Sequence, residues 1–261
     1  MRREVACLLL LLAPPALAAP SEVLQAARID QRLGSSVPMD LTFRDEAGRS
    51  VRLSECMAGK ATVLSLVYYG CPNLCTEVLN GMVKGFDDLP FRLGQEFNVV
   101  SVSIDPHETP ALAAKKRATY LKRYGHASES SWHFLTGDQT PIRQLADAVG
   151  FHYAYDPELK QYAHPSAIVL LTPRGRIARY LFGIDYDPTD LRLGLMEASE
   201  NRIGSPVDRI LMRCYAFDPR TGRYSLALLN LLRGAGVVMV LALGLFIRGM
   251  LRSEQRRKEA R

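Results

Sequence analysis

Apolar and polar positions alternate along this chain with periods that change from segment to segment, and each period predicts an element. Ala61 to Tyr68 (Ala-Thr-Val-Leu-Ser-Leu-Val-Tyr) is an almost unbroken β-branched and apolar run. Such a run is expected of a central strand covered on both faces. Val78, Leu79, Met82, Val83 and Phe86 then recur at helical spacing, which predicts a helix starting near Thr76. Phe97 to Ile104 reads as a second buried strand, closed by Asp105-Pro106, and Pro110 opens a helix that Gly125 ends after Tyr124. Trp132 to Leu135 is a short strand, Thr140-Pro141 starts a helix to Val149, and Phe151 to Tyr155 is a short extended piece. Upstream, Met39 to Phe43 and Ser50 to Leu53 form a hairpin around Glu46-Ala47-Gly48. Downstream, Ala167 to Leu171 and Ile177 to Phe182 form another, turned by Thr172-Pro173-Arg174-Gly175, and Pro188 opens a last helix to Asn201. Strands alternating with helices, then a hairpin and a helix, predict an α/β fold with a mixed sheet flanked by helices.

The two ends of the chain follow a different pattern. Arg2 and Arg3 precede an apolar run from Val5 to Leu12 and then Ala16-Leu17-Ala18-Ala19, the order of a secretory signal. This predicts a signal peptide over residues 1–18, removed with Cys7 by cleavage after Ala18 or Ala19. Leu226 to Ile247 is an apolar stretch interrupted by Asn230 and Arg233, long enough for the ~20 residues that span a bilayer. Arg233 lies off-centre, where its long side chain can reach the interface. From Arg248 onward six basic residues against Glu254 and Glu259 leave the tail at +4, which places it in the cytoplasm by the positive-inside rule. The expected organisation is thus a signal peptide (1–18), an N-terminal extension (19–36), one domain (37–200), a spacer (201–225), a transmembrane helix (226–248) and a basic tail (249–261). It puts the domain on the periplasmic face of a bacterial inner membrane. Most of the overall +6 charge therefore belongs to membrane topology and gives no support for nucleic-acid binding.

The candidate chemistry is concentrated after the first buried strand, at Cys71-Pro72-Asn73-Leu74-Cys75. Strand, cysteine pair and helix N-terminus is an order in which the helix's partial positive charge favours thiolate over thiol. Two sulfurs presented to one point can act as metal ligands or as a dithiol/disulfide couple. A purely structural disulfide closing so short a loop removes little entropy from the unfolded chain. His164 stands just before Pro165 and the strand Ala167 to Leu171, and its position singles it out from His107, His126, His133 and His152. His107, in a loop beside Asp105, is the second choice. Two soft sulfurs and one imidazole suit copper, whose reduced form prefers soft ligands. Cys56 and Cys214 read as buried small apolar residues or as a pair. No Gly-rich phosphate loop, His-Glu-x-x-His motif, nucleophile elbow or carboxylate pair is present. Three ligands without a fourth also do not match structural zinc.

From about Val37 to Ser199 the chain resembles the Sco/SenC family of thioredoxin-fold copper chaperones. The resemblance is carried by Tyr69-Gly-Cys-Pro-Asn-Leu-Cys75, by Val99-Val-Ser-Val-Ser-Ile-Asp-Pro106 with Thr109-Pro110, and by His164 ahead of Leu170-Leu-Thr-Pro-Arg-Gly175. It implies a thioredoxin-like sheet, copper ligation by Cys71, Cys75 and His164, and delivery of copper to a subunit of cytochrome c oxidase. A copper donor or a thiol reductant would be a further partner. Many relatives are anchored at the N-terminus, whereas this chain carries its anchor at the C-terminus. Two functions stay open on the residues alone. One is a metallochaperone; the other is a thiol-disulfide oxidoreductase using Cys71 and Cys75 on an oxidase subunit or another periplasmic partner. A peroxidase is a weaker third, since no threonine and arginine set surrounds either cysteine.

Overall fold

The strands richest in apolar residues form the centre of the sheet. The computed structural model describes residues 27–71, 74–125 and 131–203, together with 217–218, 223–224, Met239 and Leu243. Its elements in chain order are β1 (Arg28–Ile29), β2 (Thr42–Arg44), β3 (Ser50–Arg52), α1 (Leu53–Met57), β4 (Ala61–Val67) and α2 (Leu74–Asp87). There follow β5 (Phe97–Ser103), α3 (Pro110–Tyr124), β6 (Trp132–Leu135), α4 (Gln139–Ala148), β7 (Phe151–His152), β8 (Ala154–Asp156) and β9 (Gln161–Ala163). The last are β10 (Ala167–Leu171), β11 (Ile177–Phe182) and α5 (Pro188–Ser199). Two compact units divide the chain, the first ending at Ile203 and the second running from Gly204 to Arg261. Within the second, Phe217–Asp218 (β12) pairs antiparallel with Arg223–Tyr224 (β13).

The main sheet has the order β11-β10-β4-β5-β6, with β4, β5 and β6 parallel and β10 and β11 antiparallel to their neighbours. Every residue of β4, β5 and β10 is buried, as their unbroken apolar runs predict. The few polar residues on them are paired internally. Ser65 and Ser101, opposite each other on β4 and β5, bring their hydroxyls to 2.8 Å, and Trp132 Nε1 donates to Ser101 Oγ at 3.0 Å. An unpaired buried hydroxyl would cost about 1–3 kcal/mol here.

Helix α2 lies against both α3 and α5; α3 packs on β6, and α5 on β11, β10 and β4. These three make one helical layer over the sheet. Gly81 on α2 permits its close approach to the loop after β11, because a Cβ there would fall 1.8 Å from the Ile184 carbonyl oxygen. On α3, Thr109 caps the N-terminus by accepting from Leu112 N, Pro110 starts the helix, and Gly125 in the left-handed region ends it.

Several elements differ from the sequence expectation. Leu53 opens the short helix α1 rather than closing a strand, and Ala58 in the left-handed region stops it. The extended piece after Gly150 is two strands with different partners: β7 pairs with β1, and β8 pairs with β9. Helix α2 begins at Leu74, ahead of Thr76, so Cys75 belongs to its first turn. Among the described residues no helix is long and apolar enough to cross a membrane. The expected signal peptide with Cys7, the tail and Cys214 lie outside the described residues. So does the expected span 226–248, except for the helical positions Met239 and Leu243.

Candidate functional site

Strand β4 delivers the chain to the site. Beyond Val67, residues Tyr68, Tyr69 and Gly70 carry it off the sheet, Cys71 N donates back to Tyr68 O at 3.3 Å, and α2 begins three residues later. Cys71 and Cys75 are 6% and 2% exposed, and neither is in a disulfide. From beside the neighbouring strand β10, the loop between β9 and β10 brings in His164, 9% exposed. Its Nε2 lies 2.9 Å from Cys75 Sγ, joining two residues 89 apart in sequence.

The second ring nitrogen fixes the state of the first. His164 Nδ1 lies 2.9 Å from the Pro165 carbonyl, which can only accept, so the N–H is on Nδ1 and Nε2 presents its lone pair to the sulfur. Burial holds the imidazole below its ordinary pKa of 6.5, against upward pulls from the Pro165 carbonyl and Cys71. A neutral imidazole with its other nitrogen tied to a carbonyl is the arrangement that orients histidine for a metal. The His164–Pro165 bond is trans, since no described peptide bond is cis.

The sulfurs depart from expectation. The Cys75 thiol is driven up by its hydrogen bond to the Cys71 side chain, and burial adds to this. A first-turn position on α2 does not offset those two effects. The two sulfurs behave as a pair, and the raised Cys75 thiol keeps its proton. Tyr68 meets the same group: burial and a hydrogen bond to the Cys71 side chain raise its hydroxyl above the ordinary range. Its ring is edge-on to His164 at 6.0 Å and to Tyr162 at 5.5 Å, while Phe151 stacks on His164 at 6.0 Å. The ligand candidates thus sit in an aromatic shell that excludes water.

Among the described residues no ready-made group of three or more His, Cys, Asp and Glu side chains stands in metal-holding geometry. What is assembled is the Cys75–His164 contact, with Cys71 hydrogen-bonded to Cys75. The donor chemistry of two sulfurs and one bare imidazole nitrogen fits a soft ion such as reduced copper. The other histidines are placed elsewhere. His107 is 86% exposed and paired with Asp105 at 2.9 Å, His152 pairs with Asp30 at 2.8 Å, and His133 stands opposite Val100 in the sheet. His126 lies outside the described residues. Cys56 is buried in α1, its thiol pushed up to about 12 chiefly by burial.

Sequence reasoning missed Glu108. Its carboxylate accepts from Tyr69 N at 2.8 Å, from Gly70 N at 2.5 Å and from Ser103 Oγ at 2.6 Å. Burial raises its pKa and these three donors lower it, with the rise prevailing. The only sequence signal was the Asp105-Pro106 to Thr109-Pro110 motif that frames it.

The sequence profile of the family described as SCO1/SenC matches residues 30–192. The chain belongs to the SCO1/SenC family. The matched segment runs from the residue after β1 into α5 and so takes in Cys71, Cys75, Glu108 and His164. A Stutzerimonas stutzeri protein named for copper binding is 24% identical over 132 residues, 49% of this chain and 61% of the relative. The chain therefore spans about three fifths of that relative's length. A crystal structure from Aquifex aeolicus VF5, named for electron transfer, superposes with a TM-score of 0.58 at 25% identity, covering 67% of this chain and 98% of that one. Arabidopsis thaliana ScoI, solved with copper bound, shares the fold at a TM-score of 0.51 and 20% identity, over 65% of this chain and 99% of that one. The fold is thus the thioredoxin-like mixed sheet with flanking helices.

Proposed function

We propose that this SCO1/SenC protein is a membrane-anchored copper chaperone in which Cys71, Cys75 and His164 take one copper ion as cargo. It would pass the ion to the copper-accepting subunit of cytochrome c oxidase during assembly, after loading by a copper donor. The observation that carries the reading is the buried, neutral His164, whose Nε2 lone pair faces Cys75 Sγ at 2.9 Å. A dithiol switch has no use for such a group; a soft-metal site does. The relative named for copper binding supports the same ion. The proposal includes secretion by the signal over 1–18, an anchor over 226–248, a periplasmic domain and a cytoplasmic tail, on the strength of the charge pattern at the two ends.

A second reading has its own observation, the hydrogen bond between Cys75 and Cys71. As an oxidoreductase, the pair would give two electrons and two protons to a partner disulfide. A Cys71–Cys75 bond would form, the partner's S–S bond would break, and two partner thiols would be released.

Copper titration of the full-length protein, with and without a reductant, tests the first reading. One copper per chain is expected, with two sulfurs and one nitrogen in the ligand sphere by X-ray absorption. Replacing Cys71 and Cys75 together by Ser should cost orders of magnitude in affinity for reduced copper, because a hydroxyl is hard and rarely ionised. Unchanged stoichiometry and affinity in that double variant would refute the chaperone.

A further inference from the structure

The loop between β5 and α3 is a motif singled out in the sequence that the proposed ligand set leaves without a role. We infer that Asp105 and Glu108 make this loop a bracket that fixes the separation of the cysteine pair from His164. Both are positioning residues rather than ligands.

The bracket starts from the sheet. Strands β4 and β5 stay in register up to Val67 and Ser103, and Ile104 N still donates to Val67 O at 2.8 Å. There the two chains part, one becoming the Cys71 loop and the other the Asp105–Glu108 loop. Glu108 rejoins them. Its Oε1 takes the amide of Gly70 and its Oε2 the amide of Tyr69, two consecutive N–H groups with no strand partner, while Ser103 Oγ holds it from behind. Space at Gly70 matches this grip, since a Cβ there would lie 3.2 Å from Glu108 Oε1. Hydrogen bonds to a charged acceptor are roughly twice as strong as neutral ones.

The other arm reaches the histidine side. Asp105 Oδ1 accepts from Tyr162 Oη at 3.4 Å, as well as from His107 N and Nδ1 at 2.9 Å. Tyr162 on β9 lies two residues before His164 and packs edge-on against Tyr68, which in turn packs edge-on against His164. The far end of the loop is fixed by the Thr109 cap and Pro110, which seat it on α3. One short segment thus holds both the two residues ahead of Cys71 and the residue two before His164, and its own ends are anchored in the sheet and a capped helix.

The test uses the reduced, copper-free full-length protein and reads iodoacetamide labelling at each cysteine by peptide mass spectrometry. In Glu108→Gln the amide offers one acceptor where the carboxylate offers two. Losing a charged hydrogen bond should speed labelling of Cys71 and Cys75 by roughly tenfold or more. Cys56 in α1 is the internal control, because general loosening of the fold would speed its labelling too. Only copper affinity, the second readout, rests on the chaperone reading; it should fall about 10–100-fold, as for other residues that orient metal ligands. Faster labelling confined to Cys71 and Cys75 supports the bracket. If wild-type protein then binds no copper, the chaperone fails and the bracket stands. Wild-type labelling and wild-type copper affinity in Glu108→Gln overturn it, as does acceleration at Cys56 equal to that at Cys71. Should Glu108→Gln not fold, Ser103→Ala and Tyr162→Phe each remove one strut. Faster labelling of the pair in either supports the bracket, and wild-type rates in both overturn it.

Discussion

Two aromatic clusters lie in this domain, and they are built for opposite ends. One surrounds Trp132, with Phe86 at 5.8 Å, Phe134 at 5.4 Å and Tyr120 at 6.0 Å between ring centres. Its buried polar atoms are bound within the sheet: Trp132 Nε1 to Ser101 Oγ, and Tyr69 Oη to the Ser101 and Leu135 carbonyls. The other surrounds His164, with Tyr68, Phe151, Tyr153 and Tyr162, and it opens toward solvent at Tyr155, 51% exposed. There the buried polar atoms include two sulfurs and an imidazole nitrogen, which contact one another and which the proposed function would give to an ion. Similar side chains therefore serve as filling in one place and as a dry wall in the other. What separates them is how firmly the enclosed polar groups are already committed.

The sharpest break in that comparison is Trp132→Ala. Truncating a fully buried aromatic side chain costs about 3–5 kcal/mol. Denaturant unfolding of the variant should show this loss, and a change below about 1 kcal/mol would mean the cluster is not the structural one.

Next comes His164→Ala, which reverses the pattern. Copper affinity should drop by about two orders of magnitude, or ~3 kcal/mol, while the cysteines still cycle between thiol and disulfide. Wild-type copper binding in this variant, with oxidase assembly following only the thiol chemistry, would favour the oxidoreductase.

A pH titration of copper-free protein sharpens the contrast further. Burial holds His164 below its unfolded value of 6.5, so between its folded pKa and 6.5 the unfolded chain binds more protons than the folded one. Stability should therefore be fully present above about pH 6.5 and decline as pH falls through the folded pKa. The measurement is the midpoint of urea unfolding from pH 7.5 to 5. In His164→Ala this part of the decline should disappear; an identical pH profile in the two proteins would show that the buried imidazole is not its source.

How much of this was legible in the residues follows from the range of the interactions. Strands β4, β5 and β10 could be read because burial on both faces writes itself into consecutive residues. Cys71 and Cys75 were legible as a local spacing, and His164 through the strand it precedes. The two- and three-residue strands β1, β7, β8 and β9 carry too few positions to show a period, and β1 pairs with a segment more than a hundred residues away. Helix α1 was hidden because Leu53, apolar and following a strand, fits either element. Glu108 was invisible for a related reason: its partners Tyr69 and Gly70 lie 39 and 38 residues upstream, and an acidic residue before a capped helix looks like any other loop residue. The rise of the Cys75 thiol was equally out of reach, since it depends on where the second sulfur is placed.

The smallest effect belongs to Thr109, where the loop of the second cluster meets a helix of the first. Its hydroxyl accepts from Leu112 N at 3.3 Å and caps α3, the helix that packs on β6 and carries Tyr120 into the Trp132 cluster. Removing an N-cap side chain typically costs about 1 kcal/mol. Thr109→Ala should lower stability by that amount, measured by denaturant unfolding. If the cap serves only α3, the loss should stop there. If it also seats the Asp105–Glu108 loop, labelling of Cys71 and Cys75 should rise several-fold alongside it, with Cys56 unchanged. The stability loss without any change in labelling would separate the two clusters completely, and a change in both would show that helix α3 couples them through a single hydroxyl.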